Sequence, residues 1–151
     1  MGEKQIVQNR SARRDYHVLE TYEAGIELRG TEVKSLRDGR INLKDSYADV
    51  ANGELLLIGA HISPYDKGNV WNHDPERTRK LLMHKRQIVK LGQQTAEKGL
   101  TLVPLRLYFS KGIVKVEIAL CKGKQTHDKR DTIREREVKR EIERYTKRPK
   151  T

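Results

Sequence analysis

The residues whose types and spacing point most directly to chemistry are cations. Residues 77–90 hold six of them and no acidic residue: Arg77, Arg79, Lys80, Lys85, Arg86 and Lys90. Such a row can follow the phosphates of a nucleic acid, since each neutralised phosphate adds to a salt-dependent affinity. It also fits a solvated helix face that binds nothing. Residues 81–83 are apolar, and we expect some of them in the core, although one beside a basic row can also pack on an unstacked base.

Two smaller cationic groups lie nearer the N-terminus. The stretch "QNRSARRDY" holds Asn9, Arg10, Arg13, Arg14 and Tyr16 just before the first predicted strand. Its alternative interpretation is a basic arm without fixed structure. In "EVKSLR", Lys34 and Arg37 are three residues apart and therefore share one face of a helix, where most such pairs are simply solvated.

Catalytic and metal chemistry find little support in the sequence. The five histidines are scattered, and none has the partner four residues away that a helical metal pair needs. The single cysteine, Cys121, excludes an internal disulfide and a cysteine-based zinc cluster, and its apolar surroundings predict an inert core position. A ribonuclease using His and Lys as acid and base stays open, but nothing places two such groups together. We therefore expect no enzyme activity, no cofactor and no metal.

The charge balance indicates the class of partner. Against 21 Asp and Glu stand 32 Lys and Arg, which gives a formal net charge of +11. A cationic surface attracts nucleic acid, an anionic membrane or an acidic protein. Nucleic acid is favoured and no membrane is expected, because no segment shows a basic amphipathic helix with a broad apolar face. The N-terminus lacks the apolar centre of a signal peptide and no transmembrane stretch appears, so we expect a cytoplasmic protein.

Residues 1–122 are predicted to form a mainly β domain, an OB-like antiparallel barrel with two or three helices. "DYHVLETY" and "GIELRG" are expected to flank a turn at residues 23–25, and Asn52-Gly53 and residues 110–112 to close two hairpins. Pro104 predicts an edge or a bulge. Alternation puts Val103, Leu105, Leu107 and Phe109 on one face, and Val114, Val116, Ile118 and Leu120 on another.

Two helices are predicted within this body. The first, "TEVKSLRDG", has Thr31 as N-cap and Gly39 as its stop. The second is expected to begin at Asp74-Pro75 and to end at Gly99, with Gly92 weakening or breaking it.

Residues 123–151 form a basic tail with 11 basic and 6 acidic residues. Thr132 and Glu135 fit a capping box, and arginines recur every fourth position at Arg136, Arg140, Arg144 and Arg148. Val138, Ile142 and Tyr145 form an apolar stripe on the same helix. Three apolar residues cannot offset the conformational entropy that a free helix loses. We therefore predict a tail that is disordered when free and helical when surrounded by phosphates.

The chain closely resembles one family, the SsrA-binding proteins (small protein B) of bacterial trans-translation. The resemblance rests on "NRSARRDY", "YEAGIELRGTEVKSLRDGRINLKDSYA", "NHDPERTRKLLMHKRQI", "GLTLVPLRLYF", "KVEIALCKGK" and "HDKRDTIREREVKRE", in family order over residues 9–144. It implies an adaptor whose barrel binds the tRNA-like domain of transfer-messenger RNA. With elongation factor Tu, the complex would enter a ribosome stalled on a truncated message. The tail, helical on the ribosome, would occupy the vacant mRNA channel.

The resemblance also implies roles for particular residues. Asn9, Glu23, Lys34, Arg37 and Leu82 match the family's RNA-facing positions, and Lys124 lies at the exit from the last strand. Glu23, being acidic, would bond a base edge or a 2′-hydroxyl rather than a phosphate. His127, followed by Asp128, Lys129 and Arg130, would stack on a base of the decoding centre. The alternatives are an RNA-processing enzyme and a general OB-type RNA-binding module.

Overall fold

The computed structural model describes residues 3–65 and 72–123, apart from the side chains of residues 97 and 98. In this part of the chain nine strands and three helices follow one another: β1 (Lys4–Gln8), α1 (Ala12–Asp15), β2 (Tyr16–Ile26), α2 (Gly30–Arg37), β3 (Ile41–Asn42), β4 (Tyr47–Ala51), β5 (Glu54–Ile58), β6 (His61–Ile62), β7 (Arg79–Leu82), α3 (Lys85–Lys98), β8 (Thr101–Ser110) and β9 (Ile113–Gly123).

The large sheet closes on itself in part. Antiparallel pairings lead from β8 through β4, β5, β7, β2 and β9 and back to β8, while β1 also pairs with β8. Two joints of this ring are short. A single residue pair, Ala48 with Leu102, joins β4 to β8, and two pairs join β2 to β7. The prediction of a mainly β, antiparallel barrel is confirmed.

Apolar side chains from the strands and from two helices fill the barrel. The cluster includes Leu36 of α2, Leu55 and Leu57 of β5, Ile88 and Leu91 of α3, and the alternating residues Val114, Val116, Ile118 and Leu120 of β9. Removing this surface from water is the main force that holds the strands together.

A bulge in β8 divides the apolar residues between two clusters. The register with β9 shifts between Pro104 and Arg106, as a proline in a sheet predicts. Leu107 therefore faces the barrel core, whereas Val103 and Leu105 face a second, smaller cluster under α1. The expectation that Val103, Leu105, Leu107 and Phe109 share one face is wrong, because the extra residue at the bulge inverts the alternation.

Both predicted hairpin turns are present. Asn52 and Gly53 join β4 to β5, and Lys111 and Gly112 join β8 to β9; all four have positive φ. Such pairs of left-handed residues suit the twist of a two-residue hairpin.

The predicted turn at residues 23–25 is wrong. These residues lie within β2, and all three pair with β9; the one register shift of this pairing lies earlier, between Val18 and Glu20. The apolar side chain of Ala24 is buried in the barrel, and this burial stabilises the extended conformation at the predicted turn.

The second predicted helix begins ten residues later than expected. Residues 79–82 form β7, which pairs with β5 and β2, and α3 begins at Lys85. The helix continues through Gly92, where a Cβ atom would lie 3.3 Å from Val50, so the glycine allows close packing. The predicted end is confirmed, since Gly99 is the left-handed C-cap.

The first helix also begins differently. Arg29 is the N-cap of α2, and its amide donates to Glu32 at 2.7 Å. Thr31 instead shares a hydrogen bond with His73. The predicted tail lies outside the described residues except for Gly123, the last residue of β9.

Candidate nucleic-acid interface

Helix α2 has one buried face and, on its other side, an exposed cationic face. Glu32, Ser35 and Leu36 are buried, and the Ser35 hydroxyl donates to the carbonyl of Ser63 at 2.7 Å. Lys34 and Arg37 are exposed on the other side. The spacing that placed them on one helix face therefore also places them at the surface.

The carboxylate of Glu32 fixes this helix to the barrel. Arg77 donates to it from Nε and Nη2, the latter at 2.5 Å, and Arg79 donates from Nε at 2.5 Å. The remaining donors of Arg79 reach the carbonyls of Ala60 at 2.9 Å and Pro75 at 3.0 Å. Because the two buried charges are paired and hydrogen-bonded, these interactions offset the cost of removing them from water.

Burial and hydrogen bonding act in opposite directions on this cluster. Burial disfavours the Glu32 carboxylate, but the hydrogen bonds from Arg77, the Arg29 amide and Arg79 outweigh it and lower its pKa. Burial also lowers the pKa of Arg79, which the bond to Glu32 partly offsets. The guanidinium is the side chain suited to such a place, because it stays charged when buried and donates along several directions.

Arg79 therefore offers no charge to a partner. Its side chain is 0% exposed, so its assignment to a phosphate-binding surface is corrected: the charge serves the fold. The side chain of Arg77 is 23% exposed but is already committed to Glu32 and to the carbonyl of Glu27. Of the six cations in this stretch, Lys80 is half-buried, and those on α3 are exposed: Lys85, Arg86 and Lys90.

A tyrosine that the sequence did not single out lies beside α2. The ammonium of Lys34 is 5.5 Å from the ring centroid of Tyr65. Two hydrogen bonds between the main chain of Tyr65 and the side chain of Asn72 hold this tyrosine in position. A cation–π contact limits the rotamers of a long lysine and presents its charge in a defined direction.

Glu23 is exposed, but it already has a partner. The Tyr108 hydroxyl donates to its carboxylate, and the guanidinium of Arg106 lies 4.2 Å from the Tyr108 ring centroid. Arg106 in turn binds Glu3 at 2.9 Å and Glu117 at 3.2 Å. Burial, together with the bond to Glu23, raises the pKa of Tyr108, so this phenol donates throughout the neutral range.

Leu82 lies on the outer side of the sheet close to Glu23. It pairs with Gly25, two residues along β2, and a Cβ on Gly25 would lie 3.3 Å from the Cβ of Leu82. Leu82 is 45% exposed, whereas its neighbour Leu81 is buried in the core. An exposed leucine beside a solvent-facing carboxylate offers apolar and hydrogen-bonding contacts a few residues apart.

The N-terminal cationic group has fixed structure rather than the form of a loose arm. Asn9 donates from Nδ2 to the carbonyl of Pro104 at 3.0 Å, and its amide donates to Leu105 at 2.7 Å. Its side-chain oxygen accepts from Ser11 at 3.1 Å. Asn9 thus satisfies backbone carbonyls at the β8 bulge, and these bonds leave it fewer hydrogen-bonding groups for a partner. Arg10, Arg13 and Arg14 are exposed around it.

The predicted site residues are thus brought together in groups. Lys34 and Arg37 share α2, Glu23 and Leu82 share the β2–β7 surface, and Arg10 is near the β8 bulge. The predicted residues beyond β9 lie outside the described part of the chain: Lys124, His127, Asp128, Lys129, Arg130, Arg136, Arg140 and Arg144.

Within residues 3–65 and 72–123, no group of three or more His, Cys, Asp or Glu side chains is arranged to hold a metal ion. His73, which is buried, is bonded to Thr31 and to the carbonyl of Ile62. None of the helices in the described residues has the length and apolar character needed to cross a bilayer.

A partly closed antiparallel barrel with exposed cations on its helices defines the class: a small basic barrel protein whose surface suits a polyanion. Comparison with known proteins then identifies the family. The family model described as SmpB protein matches residues 6–148, and the chain belongs to that family.

Individual relatives agree over nearly the whole chain. The SsrA-binding protein of Desulforudis audaxviator is 61% identical over 142 residues, which cover 94% of this chain and 93% of the relative. That of Pelotomaculum thermopropionicum is 56% identical over 147 residues, covering 97% and 96%. A solved chain described as "tmRNA-SmpB: a journey to the center of the bacterial ribosome" is 51% identical, with a TM-score of 0.68 over 82% of this chain and 87% of that one.

Proposed function

We propose that this protein is a non-enzymatic RNA-binding adaptor of trans-translation in the cytoplasm. Its barrel binds the tRNA-like domain of transfer-messenger RNA and, with elongation factor Tu, delivers this RNA to ribosomes stalled on truncated mRNA. Its tail, residues 123–151, is disordered when free and becomes helical in the vacant mRNA channel. The family match over residues 6–148 carries the proposal, because it spans the barrel and most of the tail.

The barrel surface supports recognition of a folded RNA. Exposed lysines and arginines lie on α2 and α3 and near α1, and those on α2 and α3 have no carboxylate partner among the described residues. Cations dispersed over several elements suit phosphates that follow a three-dimensional shape. Arg10, Lys34, Arg37 and Lys80 contribute cations to this contact, and Asn9 contributes the hydrogen-bonding capacity that its bonds to Pro104 and Ser11 leave unused.

The supply of aromatic side chains argues against a general single-strand binder. Such modules stack successive bases on exposed aromatic rings. The chain has eight aromatic residues, and Tyr108 is 2% exposed. Glu23 then bonds a base edge or a 2′-hydroxyl with the oxygen that Tyr108 leaves available, and Leu82 packs against the sugar or base beside it.

The tail's charge supports its proposed place. The tail has eleven basic and six acidic residues, and this excess of positive charge attracts it into a channel lined by ribosomal RNA. There the phosphates neutralise the repulsion between Arg136, Arg140 and Arg144. A channel that already holds message has no room for it, so steric exclusion supplies the discrimination. Lys124 lies at the entry to this segment, and His127 stacks on a base of the decoding centre beside Asp128, Lys129 and Arg130.

One titration tests both the binding of the RNA and whether the RNA stays intact. Full-length protein is titrated into labelled transfer-messenger RNA with excess unstructured oligonucleotide, and samples are run on native and denaturing gels. We expect a discrete complex that the competitor does not displace and RNA that stays intact. Displacement by the oligonucleotide would favour a general OB-type module, and cleavage would favour an RNA-processing enzyme.

A further inference from the structure

A surface pocket beside the β8–β9 turn combines two cations with an aromatic ring. It has a volume of about 350 Å³ and is lined by Lys4, Arg37, Phe109 and Gly112. These residues come from β1, α2, β8 and the β8–β9 turn, which the fold brings to one place. The volume is at the lower end of the range for small-ligand pockets, about 300–1,000 Å³.

The backbone explains why these groups converge. Lys4 pairs directly with Phe109 in the β1–β8 ladder, so both side chains leave the sheet on the same side. Phe109 is half-buried and packs against the barrel core, so part of its side chain is left open to the pocket. Gly112 takes a positive φ of 78° in the turn, and a Cβ atom there would meet nothing within 4 Å, so the pocket wall is low at this point.

The charges of the pocket are available to a ligand. No ion pair or hydrogen bond joins Lys4 or the side chain of Arg37 to a carboxylate among the described residues. The nearest acids in sequence are Glu3, which is bound to Arg106, and Asp38, which is exposed after α2. Two cations against one fixed aromatic face match a nucleotide, whose phosphate is anionic and whose base has a π-face.

We propose that this pocket takes a single unpaired nucleotide of the bound RNA, with its phosphate between Lys4 and Arg37 and its base against Phe109. The proposal rests on the proposed function, since the RNA must first dock on the barrel. It adds a base-stacking contact to a surface otherwise suited to phosphates, and so gives the adaptor a means to recognise one position of its RNA.

The first test measures affinity for transfer-messenger RNA across a salt series, with the full-length chain. Lys4→Ala and Arg37→Ala should each weaken binding about three- to tenfold and reduce the salt slope by about one. The double variant should lose little more than the larger single loss, because both cations hold the same phosphate. Phe109→Leu should weaken binding about fivefold with an unchanged salt slope, because it removes stacking but no charge.

Lys44→Ala is the matched control, since Lys44 is an exposed lysine outside the pocket. Thermal unfolding of each variant identifies any loss that is due to folding. If Phe109→Leu proves unstable, the exposed Lys4 decides the question. Pocket variants that bind as tightly as Lys44→Ala, while wild type binds normally, would overturn the pocket and leave the adaptor function intact. Wild type that fails to bind would overturn the function itself.

A second test locates the nucleotide. A photoreactive benzoyl-phenylalanine at position 109 should crosslink to one nucleotide of transfer-messenger RNA, and Lys4→Ala/Arg37→Ala in the same chain should abolish that crosslink. Crosslinks scattered along the RNA, or a single crosslink unaffected by the loss of both cations, would contradict the proposed arrangement.

Discussion

Oε2 of Glu32 and Nε of Arg79 lie 2.5 Å apart, and neither side chain is exposed to solvent. Arg79→Met leaves Glu32 with Arg77 as its one guanidinium partner and leaves the carbonyls of Ala60 and Pro75 without this donor, and loss of one partner of a buried pair typically costs about 3–5 kcal/mol. We therefore predict that Arg79→Met lowers the free energy of unfolding by that amount in a urea titration. Glu32→Gln/Arg79→Met should cost less than the sum of the two single changes.

The control for this prediction is an exposed contact between a glutamate and a histidine. Glu76 lies 3.5 Å from His61 with 72% of its side chain exposed, and Glu76→Gln should change stability by less than about 0.5 kcal/mol. Equal losses for Arg79→Met and Glu76→Gln would show that burial of the Glu32 cluster has no energetic consequence.

Stability should also depend on the ionisation of Glu32. Its pKa is lower in the folded protein than in the unfolded chain, so its contribution is full above the ordinary glutamate pKa and is lost as the pH falls towards the folded value. Urea titrations between about pH 5 and pH 2 should show a weaker pH dependence for Glu32→Gln than for wild type.

Asp49 supplies the opposite sign as an internal comparison. Burial raises its pKa, so protonation of Asp49 favours the folded state as the pH falls. Asp49→Asn should therefore make the acid loss of stability steeper than in wild type. Parallel pH profiles for wild type and both variants would contradict these assignments.

Gly25 should govern the position of Leu82. A methyl group at this position would lie 3.3 Å from the Leu82 Cβ, so Gly25→Ala must displace the leucine by a few tenths of an ångström. We expect Gly25→Ala and Leu82→Ala to weaken binding to transfer-messenger RNA to a similar extent, about three- to tenfold if Leu82 packs on a base.

Ile113→Ala is the control for this pair, since Ile113 is 58% exposed at the start of β9. Its affinity should equal that of wild type. An unchanged affinity in Gly25→Ala, with crystallographic displacement of Leu82, would remove Leu82 from the interface.

The exposed cations of α3 and the buried cation of β7 should respond differently to neutralisation. We expect weaker RNA binding from the triple variant Lys85→Ala/Arg86→Ala/Lys90→Ala, with little change in thermal stability. The slope of log affinity against log salt concentration should fall in magnitude by up to about three. Arg79→Ala should destabilise the fold. A triple variant with the wild-type salt slope would exclude α3 from the phosphate contact.

The local features of the fold were predictable because they depend on residues next to one another. Asn52-Gly53 supplies two left-handed positions between apolar runs, and Pro104 cannot donate to a ladder, so a hairpin and a bulge follow directly. Strand β7 could not be predicted in this way, because its partners β5 and β2 are distant in sequence.

The same distinction applies to the candidate site. The three-residue spacing of Lys34 and Arg37, with Leu36 apolar, was enough to place both cations on the surface of α2. Arg79 looks like its neighbours in the sequence, and only contact with Glu32, 47 residues away, shows that it is buried. Tyr65 was missed, and Phe109 was predicted only as an apolar strand residue, because the cations near their rings come from other elements.

The proposed division of roles between barrel and tail can be tested with a chain that stops at Lys122. Its affinity for transfer-messenger RNA and its support of peptide tagging on ribosomes stalled at the end of a message should be measured side by side with full-length protein. We expect near wild-type RNA affinity and no tagging. Loss of RNA binding, or tagging that proceeds without residues 123–151, would contradict the proposed division.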